Sequence, residues 1–213
     1  MFDWDGTLVD TAEATYRCYE RVFESFGIAF DREVYARYYS PNWYHTFREI
    51  GLAEEHWSLA DERWLAHFAC ERVNLMDGVH EALADLHDRD VAAAIVTSGT
   101  QDRVTREMHA HGVAVRFREC VFGSDVTSKK PHPEALLLCM DRLGVSPAET
   151  VYIGDSPEDV AMAKAAGVFS IAIPGGYPNR DALMAAGPDV IAASLRDAID
   201  MLLDQNRGAA VFR

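Results

Sequence analysis

The chain lacks most of the features that would tie it to a membrane, a metal cluster or a nucleic acid. No apolar run approaches the roughly 18 residues of a spanning helix, so no membrane span is expected. No basic-then-apolar leader with a small-residue cleavage site is visible, which points to the cytoplasm. Cys18, Cys70, Cys120 and Cys139 are scattered, with no C-x-x-C pair. They read as reduced, mostly buried thiols rather than a disulfide framework or a zinc site. The eight histidines form no ligand spacing; His109 and His111, two apart, face different sides of their helix. No internal repeat or low-complexity segment is present. Positive charge is the main deficit: 20 Lys and Arg stand against 34 Asp and Glu, for a net charge of −14. That disfavours nucleic acid and anionic membrane as partners. No lysine precedes Lys129, so the helical region before it offers no amine for a Schiff base. An anionic substrate would need a local positive field from a metal, a lysine or backbone N–H groups.

What is present is an ordinary globular balance, 49% hydrophobic and 25% charged over 213 residues. That is enough for a sizeable core, in one domain or two small ones. Residues 11 to about 76 read as helical and aromatic. Ala12, Tyr16, Tyr19, Phe23 and Phe26 recur at helical steps over 11–26, with Asp10 as the expected cap and Gly27 as the stop. Tyr35, Tyr38 and Tyr39 mark a second helix, and Trp57, Ala60, Trp64 and Phe68 a longer one. From Met76-Asp77-Gly78 the texture changes to alternating strands and helices. Strands are expected at 91–97, 120–123, 151–154, 168–173 and 189–192, with helices after each of the first three and from Ser194 to about Leu203. This pattern predicts an α/β fold: a Rossmann-like parallel sheet with helices on both faces. A small helical insert, residues 11–76, would follow the first strand, leaving a core of 1–10 and 77–213.

Ligands of open α/β sheets bind at the carboxyl ends of the strands. Those ends carry Asp3-Trp4-Asp5-Gly6-Thr7, Thr97-Ser98-Gly99-Thr100, Lys129-Lys130-Pro131-His132-Pro133 and Asp155-Ser156-Pro157-Glu158-Asp159. Carboxylates, a hydroxyl with a small flexible loop and a lysine could build one anion-binding, cation-assisted site.

In that order and spacing, D-x-D-G-T-L-V-D at 3–10, the apolar strand ending in Thr97, K-P-H-P at 130–133 and G-D-x-x-x-D at 154–159 resemble the haloacid dehalogenase superfamily. The insert resembles the helical cap of its phosphoglycolate phosphatase-like and β-phosphoglucomutase-like branch in position and size. The resemblance implies a Mg²⁺-dependent phosphatase acting on a small phosphorylated metabolite. Asp3 would be the nucleophile, forming an aspartyl-phosphate, and Asp5 the general acid and then base. Asp3, the Asp5 backbone carbonyl and Asp155 would bind the metal, with Asp159 in support. Thr97, the N–H groups of Ser98 and Gly99, and Lys130 would meet the phosphoryl group. The same core residues would serve a sugar-phosphate mutase, and a non-catalytic binding module is a further alternative. A dehalogenase would make Asp5 superfluous.

Several residues have plainer readings. Asp159 also completes a capping box with Ser156, with Pro157 at the first helical position. Lys129 is expected in solvent, Pro131, His132 and Pro133 at a helix start, and Trp43, Tyr44, His45 and Arg48 in packing within the insert. Two departures from the family pattern stand out. Only Met1 and Phe2 precede Asp3, where a central strand usually has about five residues. Either the chain starts late or the strand is truncated and the core weakened. Gly154 stands where some mutase-like relatives carry an acid, which makes the site depend on Asp159 and leans toward the phosphatase pattern.

Overall fold

The structure, a computed structural model, describes residues 1–205; the patternless tail expected at 207–213 lies outside the described residues. Its central strand is reduced to one residue. Phe2 makes parallel bridges to both Ile95 and Ile153. Its N–H donates to Ala94 O and its carbonyl accepts from Val96 N–H, both at 2.9 Å. On the other side Asp3 N–H donates to Ile153 O, also at 2.9 Å. The chain then turns into β1 (Val9–Asp10), which pairs antiparallel with β2 (Asn74–Leu75).

Between these two short strands lie α1 (Ala12–Glu24), α2 (Arg32–Tyr38), α3 (Trp43–Ile50) and α4 (Trp57–Phe68). They surround an aromatic cluster in which Tyr19, Phe23 and Phe47 are almost wholly buried. The contacts are close: ring centroids are 4.7 Å apart for Phe23–Phe30 and for Trp64–Phe68, and 4.6 Å for Trp43–Trp64. Offset aromatic pairs of this kind add roughly 0.5–1.5 kcal/mol each beyond their buried area.

After β2 the elements alternate: α5 (Val79–Asp88), β3 (Ala93–Val96), α6 (Gln101–Ala110), β4 (Phe117–Val121), α7 (Glu134–Leu143), β5 (Val151–Gly154), α8 (Pro157–Ala165), β6 (Phe169–Ala172), α9 (Arg180–Ala185), β7 (Val190–Ile191) and α10 (Leu195–Gln205). All ladders in this part are parallel, and Phe2 joins them in the order β4–β3–Phe2–β5–β6–β7. Strand side chains alternate between faces. Phe2, Trp4, Ile95, Ile153 and Ile171 pack on one side with residues of α5 and α10. Ala94, Val96, Val121 and Tyr152 pack on the other with α7 and α8. Helices therefore cover both faces, as expected of a parallel sheet. Each fully buried large aliphatic side chain contributes about 1.5–3 kcal/mol.

The structure corrects the sequence reading in five places. Asp10 does not cap α1: it is an exposed residue of β1 opposite Asn74, and Thr11 takes the cap position without a side-chain bond. The chain entering the helical segment pairs with the chain leaving it, and that ladder claims Asp10 first. For the same reason 11–76 is not all helix, since it ends in β2. β4 begins at Phe117, three residues before the expected 120, because a register shift lets Phe117 and Glu119 pair with Ala93 and Ala94. Two helices, α3 and α9, were not anticipated as separate elements. The first strand is short but continuous with the sheet through backbone bonds on both sides. A recess of about 1090 Å³ opens at the amino ends of β3 and β5, beside Met1, Val91, Val145 and Val151. It contains none of the chemistry-bearing residues singled out above. Among the described residues no helix is long and apolar enough to cross a membrane. The four cysteines are free, Cys18 and Cys139 buried, Cys120 half-buried and Cys70 exposed.

Candidate active site

At the carboxyl ends of the strands, Lys130 joins residues from three separate chain segments. Its Nζ donates to Asp3 Oδ1 at 2.8 Å, to Asp159 Oδ1 at 2.7 Å and to the Tyr152 hydroxyl at 2.8 Å. Tyr152 in turn reaches the Val96 carbonyl at 2.8 Å. Asp3 follows the central bridge, Tyr152 lies in β5 and Asp159 in the first turn of α8. The other Asp159 oxygen accepts from the Asp155 N–H, the Ser156 N–H and the Ser156 hydroxyl at 3.2, 3.1 and 2.7 Å. The capping box and the contact with Lys130 are both present, so Asp159 serves the helix and the cluster together.

Asp155 is enclosed by backbone. A Cβ on Gly6, which has φ +76°, would stand 2.2 Å from Asp155 Oδ2. Only glycine allows both that dihedral and that approach. Gly154 is needed for a different reason: a Cβ there would lie 2.6 Å from the Asp159 carboxyl carbon. An acid at 154 would displace Asp159, so the two arrangements exclude one another here.

Asp3, Asp155 and Asp159 are all buried and bring one carboxylate oxygen each to within 4.8 Å of the others. Burial raises Asp3 to about 7; Lys130 pulls it down, and Asp159 and Asp5 push it up. Asp155 is raised well above the usual carboxylate range by burial and by Asp159 and Asp3. Burial works to lower Lys130, but Asp159 and Asp3 outweigh it and hold it protonated. One ammonium does not neutralise three buried carboxylates. The donors are hard oxygens, and a small divalent cation such as Mg²⁺ fits both their chemistry and their excess charge.

Thr97 follows β3 directly and is buried, with its N–H on Val121 O at 3.0 Å. Its Oγ1 accepts the Gly99 N–H at 3.0 Å. The Gly99 N–H, expected to meet a phosphoryl group, is thus turned back onto Thr97, which leaves the Thr97 hydroxyl proton and the Ser98 N–H for that task. Lys129 is exposed as a residue, yet its Nζ holds the Gly123 carbonyl at 2.9 Å. Pro133 occupies the cap position of α7. Arg48 lies over the Trp57 ring at 5.4 Å, a packing contact within the helical segment.

Asp5 stands apart from the three clustered carboxylates. Both its oxygens are held by Arg103, Nη1 to Oδ1 at 2.9 Å and Nη2 to Oδ2 at 2.5 Å. Sequence reasoning passed over Arg103; its one signal was Glu107 four residues on, which invites an i,i+4 pair. Tyr177 was missed as well. Its hydroxyl lies 2.7 Å from Thr11 Oγ1 and 3.2 Å from Thr15 Oγ1, and its ring stacks on Tyr39 at 5.1 Å. It thereby ties the turn after β6 to the helical segment. Only the Gly175-Gly176 turn beside it was visible in the sequence.

Comparisons with known proteins show the family. The family model for haloacid dehalogenase-like hydrolases matches residues 1–173. The chain belongs to that family. Among its curated relatives, the pyrophosphatase PpaX of Oceanobacillus iheyensis is 27% identical over 207 residues, covering 96% of each chain. The phosphoglycolate phosphatase of Salmonella paratyphi A is 35% identical over 141 residues, which is 66% of this chain and 56% of that protein. Among solved structures, a putative haloacid dehalogenase-like hydrolase from Bacteroides fragilis superposes with a TM-score of 0.82 at 26% identity, over 91% of this chain and 95% of that one. The matched region runs from the opening aspartates through the end of β6.

Proposed function

We propose that the protein is a cytoplasmic phosphatase that hydrolyses a small phosphomonoester through an aspartyl-phosphate, with Mg²⁺ as its cation. The observation that carries this reading is the Lys130 bridge between Asp3 and Asp159 beside Asp155, in a family whose curated relatives include phosphatases. An Asp3 oxygen attacks phosphorus and the P–O bond to the alcohol breaks, with the alcohol taking a proton from Asp5. A water then attacks the phosphorus of the aspartyl-phosphate, giving its proton to Asp5 and releasing phosphate and free Asp3. Lys130 keeps Asp3 oriented and offsets negative charge as the phosphoryl group arrives. Thr97 and the Ser98 N–H donate to the phosphoryl oxygens. Asp3, the Asp5 carbonyl and Asp155, with Asp159 in support, would hold Mg²⁺, which would supply charge neutralisation for carboxylate and phosphate together.

Residues 11–76 are assigned as a cap over a core of 1–10 and 77–213, hinged where β1 pairs with β2. Cap closure keeps water from the first step and opening admits it for the second. The net charge of −14 is consistent with a small metabolite, rather than nucleic acid or membrane, as the partner. The test is phosphate release from a panel including phosphoglycolate and hexose phosphates, with and without EDTA, beside Asp3→Asn. Release that needs both the cation and Asp3 supports the proposal. A folded enzyme that only moves phosphate between hydroxyls of a sugar would establish the mutase instead.

A further inference from the structure

The contacts that hold Asp5 form a ring that starts and ends in the opening motif. Trp4, wholly buried, donates its indole N–H to Glu107 at 2.7 Å. Glu107 accepts from Arg103 Nη1 at 3.1 Å, and Arg103 grips Asp5 with both terminal nitrogens. Asp5 is the next residue after Trp4, so the loop closes on itself. Burial works to lower the Arg103 pKa, but Asp5 and Glu107 together raise it, so the guanidinium stays charged. Two further surfaces meet the same group. A Cβ on Gly99 would lie 2.6 Å from Arg103 Nη2, so the guanidinium rests against the Thr97–Gly99 loop. Phe68, the last residue of α4, covers it with the ring centroid 5.0 Å from the guanidinium carbon. The Arg103 side chain is only 13% exposed. An ordinary helix-surface pair with Glu107 would need none of these additions.

We propose that Arg103 is a positioning residue for the leaving-group step: it aims the Asp5 carboxyl group and, through Phe68, ties that aim to the cap. The inference rests on the phosphatase reading. Alcohol departure requires Asp5 within hydrogen-bond reach of the bridging oxygen. Arg103 occupies both Asp5 oxygens, so substrate entry opens one of those two bonds while the other keeps the carboxyl group from turning away. Phe68 moves with the cap, and the guanidinium it covers is the one part of this ring that touches cap, phosphate loop and acid at once.

The test exploits the leaving group. A p-nitrophenolate departs without a proton, whereas an alkoxide needs one, and kcat/KM reports events up to that departure. The assay compares p-nitrophenyl phosphate with the best alkyl ester of the panel in wild type, Arg103→Met, Arg103→Lys and Phe68→Leu. Arg103→Met is expected to lower kcat/KM for the alkyl ester on the order of 10²-fold, and the aryl ester about tenfold less than that. Arg103→Lys, with one charge but no fork, recovers part of the alkyl activity, and Phe68→Leu shows the same bias in smaller measure. If Arg103→Met does not fold, Arg103→Lys carries the test with a smaller bias of the same sign. Equal losses on both esters, or none, in an enzyme whose release still depends on Asp3 overturn the role of Arg103 alone. A folded wild type that releases phosphate from neither ester overturns the phosphatase reading and the inference with it.

Discussion

The strand ends and the helical segment between β1 and β2 are held together by different means. At the strand ends the contacts are between buried charges: Lys130 with Asp3 and Asp159, Arg103 with Asp5 and Glu107. Such groups are costly to desolvate, and their mutual attraction roughly offsets that cost at best. In the helical segment the buried contacts are mainly between rings, each adding a little, with charged partners such as Arg32–Glu13 and Arg48 over Trp57 nearer its surface. The strand ends therefore give up stability where buried carboxylates gather, and the helical segment gains it from its rings; Phe68, over Arg103, is where the two meet. Removing one charge at the strand ends should act on activity first; removing one ring in the cap should act on stability first.

The largest effect is expected from Asp3→Asn, which removes the nucleophile but keeps the shape. Turnover of any phosphomonoester should fall at least on the order of 10⁴-fold, with the thermal midpoint nearly unchanged. Steady-state phosphate release and calorimetry on the same sample check both halves. Next come two variants of similar size and different character. Lys130→Met leaves Asp3 and Asp159 buried without their cation and should cost about 3–5 kcal/mol in urea unfolding, along with most activity. Trp64→Ala, at the centre of the aromatic cluster, should cost a comparable amount, about 3–5 kcal/mol. Its signature is loss of the folded cap with the Lys130 bridge intact; a variant that instead lost turnover with full stability would break the contrast.

A smaller effect links the site to pH. Folding raises Asp3 from 3.8 to about 7, so between those values the native state holds the extra proton. Asp3's contribution to stability should be lost as pH rises through that window, and the raised Asp155 acts in the same direction. The lowered groups Glu71, Glu134, Glu149 and Asp200 act oppositely and only below about their ordinary carboxylate range. The buried Met1 amine, lowered from 8.0 to about 6, opposes Asp3 and Asp155 between those values. With Asp3 and Asp155 acting together, the melting temperature in EDTA should be higher at pH 5.5 than at pH 8. Saturating Mg²⁺ should raise the pH 8 value, by the equivalent of about 2.7 kcal/mol at a hundred times its dissociation constant. A midpoint indifferent to Mg²⁺ would argue against a cation among these carboxylates. The smallest change is Tyr177→Phe, which removes the hydroxyl shared by Thr11 and Thr15 and should cost about 0.5–1.5 kcal/mol in the same unfolding assay.

The same contrast explains what could be read in advance. The clustering of Asp3, Lys130, Asp155 and Asp159 was legible because their motifs stand in a recognisable order near the strand ends. The parallel order of β3 to β7 followed from the alternation of apolar runs with amphipathic stretches. Asp10 was misassigned because capping is a local rule, while the ladder between Asp10 and Asn74 joins residues 64 apart. Arg103 stayed hidden because an arginine on a helix usually faces water, and only the fold brings it 98 residues back to Asp5. Tyr177 was hidden for the same reason, since its partners Thr11 and Thr15 lie at the far end of the chain. Which residues of the helical segment would meet a substrate was not legible at all. Aromatic packing tolerates many residue choices, so the cap's sequence records its stability more clearly than its ligand.

The most direct single measurement is to quench the enzyme in acid during turnover with Mg²⁺ and map the phosphoryl group by peptide mass spectrometry. The account requires an acid-stable, hydroxylamine-labile phosphoryl group on Asp3, absent from Asp3→Asn. Phosphate release by a folded wild type with no phosphoryl group on Asp3, or with one on another residue, would contradict it.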